Sequence, residues 1–147
     1  MEIFKNIKMS LDVYIQRKRW LSYDEGKSYI KDEELLYDAN ITHNLNVLAE
    51  KAGIYEALWR PYQLHPDFKH GEDYLEELEF ENSVEMQAKD IIPVLEKGLL
   101  RMKKRPTYFK KFEVKNGWGL YIDFVPFVEK YLEACKQYPE SIIKVSR

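Results

Sequence analysis

The sequence predicts an α+β fold: a small, mainly antiparallel sheet, from an N-terminal hairpin and strands plus a C-terminal strand, covered by helices. Three observations carry this. Leu11-Asp12-Val13-Tyr14-Ile15-Gln16 alternates strictly between apolar and polar residues, and Glu34 to Ile41 alternates again, with Leu35, Tyr37, Ala39 and Ile41 together. From Thr42 onwards the period changes to that of a helix. At the end of the chain β-branched Ile142, Ile143 and Val145 return to a strand pattern, and pairing with the Leu11 strand is the economical way to hold it. Strands first and helices later argue against a doubly wound parallel sheet.

The elements follow in order. Arg17-Lys18-Arg19 interrupts the first strand, and Asp24-Glu25-Gly26-Lys27 between Trp20–Tyr23 and Ser28–Ile30 reads as a hairpin loop, the glycine permitting positive φ. Thr42 is placed to cap a helix, with Leu45, Leu48, Ala49 and Ala52 forming one apolar stripe and Gly53 supplying the left-handed end. A shorter helical turn carries Ile54, Ala57 and Leu58, and Pro61 stops it by pushing Arg60 out of helical geometry. Residues 62–86 read as an acidic surface excursion without assigned secondary structure: Glu72 to Glu85 holds seven acids and no base.

Two later helices share a beginning. Asp90-Ile-Ile-Pro93 and Asp123-Phe-Val-Pro126 stand 33 residues apart. Aspartate as N-cap would put proline at the third helical position, where its missing N–H breaks no bond. A start a turn earlier, near Ala88, is the alternative for the first. Two copies are too few for a solenoid. Their stripes, Ile91, Val94, Leu95, Leu99, Met102 and Phe124, Phe127, Val128, Tyr131, Cys135, belong to the core. Pro106 to Phe112 makes about one helical turn, and Asn116-Gly117-Trp118-Gly119 a tight loop.

At 147 residues the chain reads as one domain, residues 1–147, with residues 1–8 as an N-terminal extension and Met9 as an alternative start. A net charge of −2 excludes a wholly basic or wholly acidic protein. No apolar run reaches the roughly 18 residues of a membrane span. No signal peptide is recognisable and Cys135 stands alone, so a cytoplasmic location and no membrane partner are expected. Eleven tyrosines leave material for a homo-oligomeric interface.

No phosphate-binding loop, dinucleotide fingerprint, nucleophile elbow or zinc pattern is present, so no catalytic residue, metal ligand or cofactor is assigned. His65 to His70 reads as a polar loop, and Cys135 as a buried thiol. Polar groups cluster around Asn40, His43 and Asn44 at the helix start, where the dipole favours a neutral imidazole; capping explains much of this cluster. Trp59 and Arg60 stand at the other end. Lys104 and Arg105 belong to a basic run from Arg101 to Lys115 that is interleaved with aromatics, a combination suited to phosphates or single-stranded nucleic acid, although a solvated helix face is the plainer explanation. The ligand-binding candidates are therefore His43, Asn40, Asn44, Arg60, Trp59, Trp118, Lys104 and Arg105, with His43, Arg60 and Trp118 expected to converge if a pocket exists.

The segments Met9-Ser10-Leu11-Asp12-Val13-Tyr14, Asn40-Ile-Thr-His-Asn-Leu45, Ala52-Gly-Ile-Tyr55, Leu58-Trp-Arg-Pro61, Asn116-Gly-Trp-Gly119 and Val145-Ser-Arg147 resemble small proteins of tailed phages and prophages. The resemblance implies a setting, a small cytoplasmic accessory protein of a mobile element, and no catalytic residues. The expected function is a non-enzymatic accessory binding protein, acting in counter-defence by sequestering a small anionic, nucleotide-like signal or by blocking a host protein. The alternatives are a small hydrolase or nuclease using His43 and Asp38, and a nucleic-acid-binding accessory protein using residues 101–118.

Overall fold

A computed structural model describes residues 10–71, 73–114, 117 and 119–147. Among them are four strands, β1 (Ser10–Leu21), β2 (Ile30–Thr42), β3 (Met86–Gln87) and β4 (Ile142–Ser146). Six α-helices accompany them: α1 (Asn46–Ala52), α2 (Tyr55–Trp59), α3 (Tyr74–Ser83), α4 (Ala88–Lys104), α5 (Pro106–Lys110) and α6 (Tyr121–Gln137). The strands form one sheet of order β2-β1-β4-β3 with antiparallel neighbours throughout. The α+β architecture and the pairing of the C-terminal strand with the Leu11 strand are as the sequence predicts.

Leu11, Val13 and Ile15 of β1 are fully buried and face the helices, while Asp12, Tyr14 and Gln16 lie on the other face. Arg17-Lys18-Arg19 does not interrupt the strand. Alternation continues through it, but the core side changes from apolar residues to ion pairs: Arg17 meets Glu34, and Arg19 meets Asp32 at 2.6 Å. Leu36 is extra between the pairs Ile15↔Tyr37 and Gln16↔Leu35, a bulge at the point where the hairpin leaves the packed sheet. Since β4 reaches only as far as Gln16, residues 17–34 continue as a two-stranded arm.

The arm's turn is ordered by one carboxylate. Asp24 accepts from Ser28 N–H at 2.9 Å, Ser28 Oγ at 2.6 Å and Ser22 Oγ at 2.9 Å, and Ser22 Oγ accepts from Gly26 N–H at 2.8 Å. The bonds from Ser28 hold the Asp24 carboxyl below its usual range. Gly26 takes φ 86°, as the loop reading requires.

Thr42 caps a 3-10 turn, His43–Leu45, which runs into α1; Gly53 ends α1 at φ 77°. Arg60, at φ −140° and ψ 60°, leaves helical geometry before Pro61 and the 3-10 turn Pro61–Leu64. The acidic excursion holds more structure than expected, since α3 lies within it; no residue of α3 is buried. Asp90 and Asp123 are third helical residues, not N-caps. Asp90 reaches back to the Gln87 N–H at 2.8 Å, closing a capping box, and both prolines fall three residues further along. The repeated pattern is a shared first turn: α4 begins at Ala88, as the alternative reading has it, and α6 begins earlier than the N-cap reading places it.

Helices α4 and α6 pack on the sheet and on each other, with Phe124, Tyr131, Ile91, Leu95 and Met102 fully buried. Gly98 lets α4 approach the α1–α2 junction: a Cβ there would stand 2.1 Å from Ile54 Cγ2. No helix among the described residues is long and apolar enough to cross a membrane.

Candidate functional site

The two ends of the central stretch meet. Trp59, 2% exposed, donates its indole N–H to His43 Nδ1 at 2.8 Å. An indole nitrogen cannot accept, so this bond requires an unprotonated Nδ1 and the proton of a neutral imidazole on Nε2. Tyr55 stacks on Trp59 with ring centroids 5.3 Å apart. Arg60 interacts with Tyr55 and donates to the Tyr62 hydroxyl at 3.1 Å. Tyr62 in turn donates to Glu77 at 2.5 Å, and Gln63 donates to the same oxygen at 2.8 Å. These two donors hold the Glu77 carboxyl below its usual range, whereas burial and the bond to Glu77 push the Tyr62 phenol up.

Arg147 closes the network. It donates to the Trp59 carbonyl at 3.2 Å, forms a two-point ion pair with Glu81 at 2.8 and 3.0 Å, and lies over the Tyr62 ring at 5.8 Å. Aromatic and polar groups therefore run continuously from His43 to α3, but their donors and acceptors are largely spent on one another. The arrangement fastens α2 and α3 to the end of β4. Burial pushes the Cys135 thiol up to about 12, so the lone cysteine is no nucleophile at neutral pH. Among the described residues no group of three His, Cys, Asp or Glu side chains could hold a metal.

The candidates predicted from sequence divide into two groups. His43, Trp59 and Arg60 belong to the network above. Asn40 lies on the outer sheet face and donates to Asp12 at 2.5 Å. Asn44 donates its backbone N–H to Thr42 Oγ1 at 3.4 Å, and a Cβ on Gly119 would stand 3.1 Å from its Cβ. The glycine after Trp118 thus packs against the helix start; Trp118 itself lies outside the described residues, and so does Asn116. Lys104 and Arg105 stand elsewhere, beyond the opposite end of α1, where α5 packs. Open grooves of about 340–410 Å³ lie beside α3 and β4, and none of the seven candidates among the described residues lines them.

Two features stand outside the candidate set. At the arm's tip Trp20 is 65% exposed, Tyr23 81%, Tyr29 60% and Ile30 59%. Their signal in the sequence is an aromatic-rich hairpin end beyond the last core-facing residue, Ile15. The second is the distribution of paired cations. Arg17, Lys18, Arg19, Lys89, Lys103, Lys136, Lys144 and Arg147 each face a carboxylate. Lys104, Arg105, Lys110 and Lys111 do not, among the described residues.

Compared with protein-family models, curated proteins and solved structures, the chain has no significant match.

Proposed function

We propose that this chain is a non-enzymatic binding protein that engages a protein partner through the tip of the β1–β2 arm. The observation that carries this is the exposure of four large apolar side chains at the tip of the arm, Tyr23 and Tyr29 in the turn and Trp20 and Ile30 at the strand ends. Tryptophan and tyrosine dominate the energetic centres of protein interfaces, because they bury a large rigid area and keep a polar handle. The Asp24 network and the ion pairs along the arm hold the turn before any partner arrives, which lowers the ordering cost of association.

Of the two forms of accessory binding expected from the sequence, blocking a protein finds more support than sequestering a nucleotide. His43 Nδ1 is engaged by the buried Trp59, and the concave regions beside α3 and β4 are open grooves. The hydrolase alternative finds less support, since His43 Nδ1 already accepts from an indole. The resemblance to tailed-phage accessory proteins suits a host protein as the partner.

The test places a photo-crosslinking residue at Tyr23 in the full chain inside expressing cells, with one at exposed Tyr74 as control. A protein captured at position 23 and not at 74 is then purified, and its affinity is measured. Trp20→Ala and Tyr29→Ala are expected to weaken binding by about 10- to 100-fold each. Equal capture at both positions, or unchanged affinity for both variants, overturns the proposal.

A further inference from the structure

A second surface points to a different ligand. Arg105 precedes Pro106 and takes φ −134° and ψ 57°, which breaks the chain between α4 and α5. The break sets α5 against both α4 and α1. Six cations gather at this corner: Lys51, Arg101, Lys104, Arg105, Lys110 and Lys111.

Part of this charge has an internal role. Arg101 donates to the Ala52 carbonyl at 2.9 Å, capping α1, and the basic last turn of α4 suits its helix dipole. The rest is not offset. Nearby carboxylates are directed elsewhere: Glu129 takes Lys103 at 3.0 Å, and Glu113 accepts the Tyr121 N–H at 2.8 Å. Lys104, Arg105, Lys110 and Lys111 are exposed and face no carboxylate among the described residues, so four unpaired cations stand within eight positions of one another at this corner.

The aromatics here do not serve as stacking platforms. Arg105 lies 4.1 Å from the centre of the Tyr108 ring, Lys51 5.1 Å from Phe112 and Lys110 5.7 Å from Tyr121. The rings steady the protein's own cations instead of offering both faces to bases. A cation array whose described neighbouring rings are each engaged by a cation reads phosphate, not sequence. We infer that the α1–α4–α5 corner binds the phosphate backbone of nucleic acid irrespective of base sequence. This inference is independent of the arm tip.

The test is fluorescence anisotropy with labelled DNA duplexes of unrelated sequence, using the full chain across a range of salt. Four cations on four phosphates give a slope of log K against log salt of about −3.6, so affinity falls about a hundredfold between roughly 50 and 200 mM. Lys110→Glu with Lys111→Glu flattens that slope by about half. Lys27→Glu with Lys69→Glu changes net charge equally but lies off the corner, and leaves most of the slope. Circular dichroism checks that both variants fold. A slope near zero, equal loss from both double variants, or strong preference for one duplex sequence overturns the inference. Binding of heparin without binding of DNA also overturns it, as it shows a polyanion site that does not fit the nucleic-acid backbone.

Discussion

Tyr131 shows how closely the core is held to apolar contacts. It is fully buried on α6 and stacks on Tyr37 with centroids 6.0 Å apart, yet its hydroxyl has no hydrogen-bond partner among the described residues. A phenol removed from water without a partner costs stability, while its ring contributes packing. Tyr131→Phe is therefore expected to hold or raise stability by up to about 1 kcal/mol, seen as a higher urea midpoint at unchanged slope. A loss of more than about 1 kcal/mol would mean that the hydroxyl has a role the geometry does not show. The sequence placed Tyr131 on a core stripe but could not reveal the orphaned oxygen, which depends on what α6 meets across the sheet. His43 was legible to a similar depth. A polar residue at a helix start suggested capping and a neutral ring; that an indole sixteen residues away would take its Nδ1 was invisible in the chain itself.

At the level of elements, local signals were read well where one residue type has one use. Gly53, Pro61 and Gly26 end or turn the chain where expected, because positive φ and a missing N–H leave few alternatives. The beginning of α6 was displaced, and α4 took the earlier of its two readings, Ala88, because aspartate suits both the N-cap and the third position. The hairpin turn was read, but the continuity of β1 through Arg17-Lys18-Arg19 was missed because that run has no apolar side; Arg17 and Arg19 pair with the opposite strand, a long-range fact. Gly98 is the clearest element-level constraint. Glycine inside a helix costs about 1 kcal/mol against alanine, so Gly98→Ala would stabilise an open helix. Here the added methyl meets Ile54 Cγ2 at 2.1 Å and the Ala52 carbonyl at 3.1 Å. The substitution is expected to destabilise the protein by about 1–3 kcal/mol, measured by denaturant unfolding, by forcing α4 away from the α1–α2 junction. Ile54→Ala, which removes Cγ2, should cost less in the Gly98→Ala background than it does alone. A stabilising Gly98→Ala would place the junction further from α4 than described.

For the whole molecule, the two sides of the pH scale behave differently. The carboxylates held below their usual range, Asp24, Glu77 and Glu85, owe this first to hydrogen bonds from Ser28, Tyr62 and Lys18, and they stand at the water-facing surface. Their contribution is present above the unfolded carboxylate range and is lost as pH falls through their lowered values, but solvent screens it and the acid limb is shallow. The groups pushed up lie deeper. Burial raises Tyr131 well above its ordinary value and Cys135 from 9.0 to about 12. A raised pKa on a group that ionises to an anion means that the folded state keeps its proton longer than the unfolded chain does. The associated stability is complete below the unfolded value and declines as pH rises through the folded one. For Cys135 the window runs from about 9 to about 12, with roughly 4 kcal/mol at stake across it at about 1.36 kcal/mol for each pH unit. Urea midpoints should therefore hold steady from neutrality to about pH 9 and then fall steeply, with no matching drop on mild acidification. Cys135→Ala separates the thiol from the tyrosines. It costs stability at neutral pH by leaving a small cavity, but its midpoint should decline less between pH 9 and 11, where the native thiol is replaced by a group that does not titrate. Parallel decline of parent and variant throughout that window would show that the tyrosines, not Cys135, set the alkaline limit.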